Sequence, residues 1–291
     1  YQDRVLSWAP EIAHVEHGPA GVFMGFDFHL ADDGPKLIEV NTNAGGAILN
    51  ALLAKAQLAC CNEMKHQPRL PLGANFSADV VSTFEAEWKL QNAGRALRRI
   101  AVIDDTPQTQ YLYPEFVLVR EMLAKAGYEA FIAAPEQFRF EDGRLMLDGY
   151  SIDLVYNRLV DFSFEQPMHE VLRAAYESGG AAFTPNPRNH ALLADKRNLI
   201  LLSDPGELEA LGVPVSMRSA LKSVPHTAMV SAGNADELWR QRKKLFFKPA
   251  RGHGSKAVYR GDKVTRGVFD EIARGEYVAQ EFTPPGQRMM R

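Results

Sequence analysis

Between Arg99 and Gly180 short apolar runs alternate with helical stretches, and this alternation limits the possible folds more than any other feature of the chain. Arg99–Asp104 is a short β-branched run, and a helix over Pro114–Ala126 follows, closed by Gly127. A strand at Tyr128–Ala133, a polar hairpin around Glu141-Asp142-Gly143 and a strand at Asp153–Asn157 come next. A helix over Met168–Ser178 then ends in Gly179-Gly180. Strands separated by helices imply a small, mainly parallel sheet, because a crossover must return the chain before a parallel neighbour can start. Such sheets bind ligands at the carboxyl ends of their strands. Asp104, Asp105, Asn157 and Arg158 are expected there.

Two regions flank this one. Upstream, the alternating runs Val22–Leu30 and Lys36–Asn41 enclose Ala31-Asp32-Asp33-Gly34-Pro35, a loop of hairpin length, and Ala47–Cys61 and Ala78–Gln91 have helical spacing. Downstream, helices are expected over His190–Leu202 and Pro205–Leu211. Strands are expected at Thr227–Val230, Leu245–Pro249, Ala257–Tyr259 and Tyr277–Phe282. The sequence therefore divides at 1–95, 96–188 and 189–291. A length of 291 residues suits two or three such domains.

Composition narrows the function classes. With 46% hydrophobic and 24% charged residues the chain is an ordinary globular protein, not a disordered or collagen-like one. No apolar run approaches the roughly 18 residues of a membrane span, so no membrane partner is expected. A net charge of −3 supplies no general attraction for nucleic acid, and Arg240–Lys244 reads as a solvated helix face. Cys60 and Cys61 are adjacent and cannot staple distant segments, which fits a cytoplasmic protein. The start at Tyr1 and the stop soon after Thr283-Pro284-Pro285-Gly286 lead us to expect missing sequence at one or both ends. Oligomeric state is left open.

Three constellations carry chemistry. Lys248-Pro249-Ala250-Arg251-Gly252-His253-Gly254-Ser255-Lys256 places a lysine at a strand end before a glycine-rich loop. Glycines let backbone N–H groups approach phosphate oxygens while an ammonium neutralises them. No Walker sequence is present; an ordinary glycine hairpin is the plain alternative. Asp27, Glu39 and Asn41 on the first hairpin offer hard oxygen ligands suited to Mg²⁺. Glu39 and Asn41 are two apart and share a strand face, although a solvated surface face would look the same. Gln280-Glu281-Phe282 ends an apolar strand at a point that can meet a purine and a ribose, or can be a plain core strand.

Together these segments resemble the ATP-grasp superfamily. Lys248-Pro249 with Gly252, His253, Gly254 and Ser255 resembles its phosphate-covering loop. Gln280, Glu281 and Phe282 resemble its adenine and ribose hinge. Asp27-Phe28 with Glu39-Val40-Asn41-Thr42-Asn43 is similar to the metal end of D-alanine–D-alanine ligases. Ala194-Asp195-Lys196 resembles the segment with the second ATP-contacting lysine. The metal hairpin normally comes last and here comes first, as in circularly permuted relatives and in the synthetase part of glutathionylspermidine synthases. The resemblance implies an α+β fold: a circularly permuted ATP-grasp fold with a small α/β pre-ATP-grasp domain.

The activity implied is an ADP-forming carbon–nitrogen ligase, joining a small-molecule or peptide carboxylate to an amine through an acylphosphate. Its cofactors would be ATP on Lys196 and Lys248, and Mg²⁺ on Asp27, Glu39 and Asn41. Lys248 and Arg158 would be catalytic, with Asn43, Gly45, Gly46 and Arg158 on the substrate. Two departures stand out. Gly25 occupies the position where related ligases carry an oxyanion-steadying arginine, making Arg158 or Arg288 the candidate replacements. Asn43-Ala44-Gly45-Gly46 lacks the usual proline. Arg158 as a structural ion pair and His253 as a solvated loop residue are the plainer readings of those two. A non-catalytic ATP-binding protein and a small-molecule kinase are the alternative functions.

Overall fold

The computed structural model describes residues 1–60, 75–252 and 257–286. Cys61, His253, Gly254, Ser255 and Arg288 lie outside the described residues. Thirteen strands are described. The first nine are β1 Gly25–Ala31, β2 Gly34–Asn41, β3 Arg99–Ile103, β4 Glu129–Ala133, β5 Phe138–Glu141, β6 Arg144–Leu147, β7 Tyr150–Ser151, β8 Leu154–Asn157 and β9 Ala182–Thr184. β10 Thr227–Met229, β11 Leu245–Pro249, β12 Tyr259–Arg260 and β13 Tyr277–Glu281 complete the set.

The three stretches expected from the sequence regroup into two compact units. Residues 9–25 and 42–190 form one, the α/β unit; residues 1–8, 26–41 and 191–291 form the other. The division follows packing rather than chain order. The β1–β2 hairpin groups with the last hundred residues, where the Leu37 amide donates to the Ser223 carbonyl at 3.0 Å and Leu37 packs with Leu199 and Val224. The helices Ala47–Cys60 and Phe76–Gln91 instead stay with the middle region.

In the α/β unit the sheet order is β4-β3-β8-β9, all parallel, with Ile100 opposite Leu154 and Ile103 opposite Asn157. Alternation sends Ile100 and Val102 to one face and Ala101 and Ile103 to the other. The first pair packs with Phe84, Trp88, Phe116 and Leu123 from the helices Phe76–Gln91 and Tyr113–Lys125. The second packs with Leu172, Tyr176 and Phe183. A parallel strand covered on both faces must be apolar throughout, which is why Arg99–Asp104 was legible as a strand. β9 was not, because three residues before a proline carry no alternation. β5, β6 and β7 form a separate antiparallel sheet.

The second unit is built on the antiparallel sheet β10-β13-β11-β12. Phe247 and Ala279 face the helices Ala235–Gln241 and Arg266–Arg274, packing with Leu238, Phe269 and Ile272. Lys248 and Gln280 therefore project from the other face. The helix expected over His190–Leu202 is broken at Asp195–Arg197 and resumes as Asn198–Ser203. The Asp195 carboxylate accepts from the Arg197 amide at 2.9 Å and its guanidinium at 2.6 Å, while the Lys196 amide donates to the Ala250 carbonyl at 3.1 Å. These bonds replace helical ones and turn Lys196 toward the end of β11.

Candidate nucleotide-binding site

The exposed face of this second sheet, the broken helix and the hairpin enclose a cavity of about 260 Å³. Asp27, Glu39, Lys196, Lys248, Gly252, Gln280 and Glu281, all expected from the sequence, line it together. Lys248 is 5% exposed; its ammonium donates to Gln280 Oε1 at 2.7 Å and to the Ile38 carbonyl at 3.2 Å. Lys196 donates to the Gly252 carbonyl at 2.9 Å and pairs with Glu39 at 3.4 Å. Burial lowers the Lys248 pKa to about 8, with Lys196 pushing the same way and Glu39 and Asp27 opposing. Two ammonium groups lining one poorly solvated cavity repel each other, and an anion between them relieves that repulsion.

Asn41 lies beside the metal candidates, its Nδ2 donating to Asp27 Oδ2 at 3.2 Å. With Glu281 the cavity carries two lysines and three carboxylates, so its cations do not outnumber its anions. A triphosphate entering alone would meet Asp27 and Glu39 as repulsive neighbours, whereas a divalent cation makes both carboxylates favourable. Hard carboxylate and amide oxygens are also the donors Mg²⁺ takes, with phosphate and water completing its shell. The donor set thus fits a magnesium nucleotide. Among the described residues no group of three or more His, Cys, Asp or Glu side chains is placed to hold a metal ion by itself.

The side chains of Gln280 and Phe282 find partners within the protein, which leaves their backbone as the part expected to meet a purine. Gln280 is 2% exposed and its side chain is spent inside the protein, on Lys248 and on Thr227 Oγ1 at 3.3 Å. Phe282 packs against Phe246 with ring centroids 5.6 Å apart, under the Arg260 guanidinium, and its amide donates to the Lys244 carbonyl at 2.7 Å. His29 also lines the cavity and was missed. Its Nδ1 lies 2.6 Å from the Thr283 carbonyl, which can only accept, so Nδ1 carries the proton. The signal was available, since His29 is two residues after Asp27 on the same strand face.

Arg158, Asn43, Gly45 and Gly46 come together in the α/β unit. Arg158 is 6% exposed and donates to the Ala44 carbonyl at 3.1 Å, the Asn43 carbonyl at 3.3 Å and the Tyr156 hydroxyl at 3.3 Å. Asn43 Nδ2 donates back to the carbonyls of Arg158 and Leu159. A Cβ on Gly45 would press on Leu112 Cδ1 and lie 2.9 Å from the guanidinium, so a larger residue there must displace the ends of both side chains. The Glu115 carboxyl, its pKa raised by burial, is drawn down in part by Arg158 and by the amides of Gly46, Leu49 and Ile48. The start of the following helix thus already faces a protein carboxyl.

A second charged cluster in this unit was not read from the sequence. Asp104 and Asp105 follow β3 and Arg158 follows β8, as expected at strand ends. His169 Nε2 lies 2.9 Å from Asp105 Oδ1 and its Nδ1 2.7 Å from Asp161 Oδ2, with no exposed side-chain surface. Burial opposes charge on His169, but the bonds to Asp161 and Asp105 outweigh it and raise the pKa. Burial likewise pushes Asp161 up, but the bonds from His169 and from the amides of Gln166 and Glu165 bring it down to about 2. Asp104 is raised to about 6 by burial, against the Asp105 amide and Arg158.

No family model and no curated protein sequence matches the chain. Solved structures do. A glutathione synthetase-like effector (GSS30) from Globodera pallida, in its apo form, aligns over 98% of this chain and 66% of its own length, at TM-score 0.58 and 15% identity. A proposed gamma-glutamylcysteine synthetase from Methylobacillus flagellatus KT aligns over 96% of this chain and 72% of its own, at TM-score 0.53 and 13% identity. The chain thus spans about two thirds of the length of the first. The chain shares the mixed helix and sheet fold of these two synthetase-like proteins. Among the described residues no helix is long and apolar enough to cross a membrane.

Proposed function

We propose that this chain is an ATP-dependent carboxylate–amine ligase that forms an amide through an acylphosphate and releases ADP and phosphate. The observation that carries the reading is the convergence of Lys196 and Lys248 with Asp27 and Glu39 on one cavity. The glutathione synthetase-like fold supports it. So does the grouping of the first hairpin with the last hundred residues, which is what a circularly permuted ATP-grasp lobe requires.

In this reading Lys196 and Lys248 hold the phosphates and spread the charge that builds up on them during transfer, the main demand of a loose phosphoryl transition state. Asp27, Glu39 and Asn41 hold Mg²⁺, which when bound neutralises β- and γ-phosphate charge. Gly252 opens the loop whose His253, Gly254 and Ser255 exclude water from the acylphosphate. Glu281 meets the ribose, with the backbone of Gln280 and Phe282 bordering the adenine. On the α/β unit, Arg158 holds the Asn43–Gly46 loop proposed for the acid substrate; its catalytic role is to keep that loop in shape. The amine is a small molecule or peptide. Gly25, in place of an arginine, supports a second reading in which the chain binds nucleotide without ligating.

The test is thermal unfolding with and without Mg-ATP, on wild type beside Lys248→Ala. Nucleotide at 100 times its Kd stabilises by about 2.7 kcal/mol, a shift of a few degrees. A shift in wild type that the variant lacks supports the site, and ADP release that needs both an acid and an amine then identifies a ligase. A well-folded wild type with no shift removes both readings.

A further inference from the structure

Thr227 does not itself line the cavity, yet it closes a chain of hydrogen bonds that runs through Gln280 to the cavity lysine Lys248. Lys248 Nζ donates to Gln280 Oε1 at 2.7 Å, Gln280 Nε2 donates to Thr227 Oγ1 at 3.3 Å, and Thr227 Oγ1 donates to the Pro225 carbonyl at 3.0 Å. Thr227 and Gln280 are direct cross-strand partners of β10 and β13, and Phe246 faces Gln280 from β11. All three polar side chains are at most 5% exposed.

The direction of every bond is forced. An ammonium only donates, so Gln280 must present its oxygen to Lys248 and its nitrogen to Thr227. A carbonyl only accepts, so the threonine proton must go to Pro225, leaving its lone pair for Gln280. Reversing the amide would set its NH₂ against the ammonium. Of the three ammonium protons, one goes to Gln280 and one to the Ile38 carbonyl; among the described residues the third meets no acceptor, and an anion in the cavity can take it. We infer that Thr227 is a positioning residue for nucleotide binding: acting through Gln280, it fixes the orientation in which Lys248 offers that remaining N–H to phosphate. Resting on the nucleotide reading, this assigns the Gln280 side chain to the lysine and leaves only its backbone for the adenine.

The experiment compares wild type, Thr227→Val and Thr227→Ser. Valine keeps the shape and removes the acceptor; serine keeps the hydroxyl. Calorimetric titration with Mg-ATP and with adenosine separates phosphate contacts from base contacts. Thr227→Val is expected to weaken ATP roughly tenfold, the size of one hydrogen bond to a charged group, with adenosine affinity unchanged and Thr227→Ser close to wild type. Equal losses for ATP and adenosine, or no loss for ATP, would overturn the assignment. Acylation of Lys248, followed by mass spectrometry without nucleotide, provides an independent readout. Loss of the fixed acceptor should speed labelling in Thr227→Val and not in Thr227→Ser. If wild type binds no nucleotide yet labelling responds in this way, the nucleotide reading fails and the positioning role stands; unchanged labelling refutes the positioning role itself.

Discussion

In the α/β unit the buried charges find partners within the protein: His169 sits between Asp105 and Asp161, and the Arg158 guanidinium is taken up by carbonyls of the Asn43–Gly46 loop. In the second unit Lys196 and Lys248 share a cavity with Asp27 and Glu39, and burial holds the Lys248 pKa down to about 8. Both clusters lie at strand ends or beside them, and both hold groups of either sign. Closure separates them. A charge whose bonds are completed within the protein contributes to stability, whereas a buried charge with a donor to spare is a site for an outside ion. Similar residue types thus serve opposite purposes according to whether a partner was supplied.

That contrast can be broken experimentally. The largest effect should come from His169→Ala, which leaves Asp161 and Asp105 without their shared partner; about 3–5 kcal/mol of stability should be lost, measured by urea unfolding. A loss under 1 kcal/mol would mean that the cluster is not closed. Lys248→Ala should reduce ATP turnover by roughly 10²–10³, as removing one preorganised charge stabiliser does. Turnover within tenfold of wild type would take Lys248 out of the site. Arg158→Met should cost about 1–3 kcal/mol through the carbonyls it abandons while leaving Mg-ATP affinity unchanged. A fall in that affinity would give Arg158 a direct part in the nucleotide site.

The smallest effect is a pH dependence. His169 holds its proton in the folded protein above the ordinary value of 6.5. Its contribution is therefore complete below that value and lost as pH rises through the folded pKa. Asp161, lowered from 3.8 to about 2, contributes fully above 3.8 and loses that contribution as pH falls toward 2. Unfolding followed from pH 2 to 9 should show a decline on both sides, and His169→Gln should abolish the alkaline one. An alkaline decline that survives the substitution would exclude His169 as its source.

Much of the cavity was legible beforehand because its residues lie in short local patterns: Asp27 with Glu39 and Asn41 on a hairpin, Lys248 before a glycine loop, Glu281 at a strand end. The 168 residues between Asp27 and Lys196 were no obstacle, since each segment carried its own signal. The clamp on His169 was not legible, because its partners come from two other loops and a lone histidine has no spacing to betray it. Thr227 was hidden for a related reason: a threonine in a strand looks like any other until its cross-strand partner is known.

Local chemistry in the sequence therefore determined which elements form and which side chains are suited to phosphate or magnesium. Hydrophobic alternation and turn residues act over a few positions and need no distant partner. Tertiary structure alone decided that the first hairpin packs with the last hundred residues, that the helix after His190 breaks to deliver Lys196, and that Gln280 turns to Lys248. Those outcomes depend on which buried donors meet which acceptors, and burial makes an unmet donor costly enough to select one arrangement.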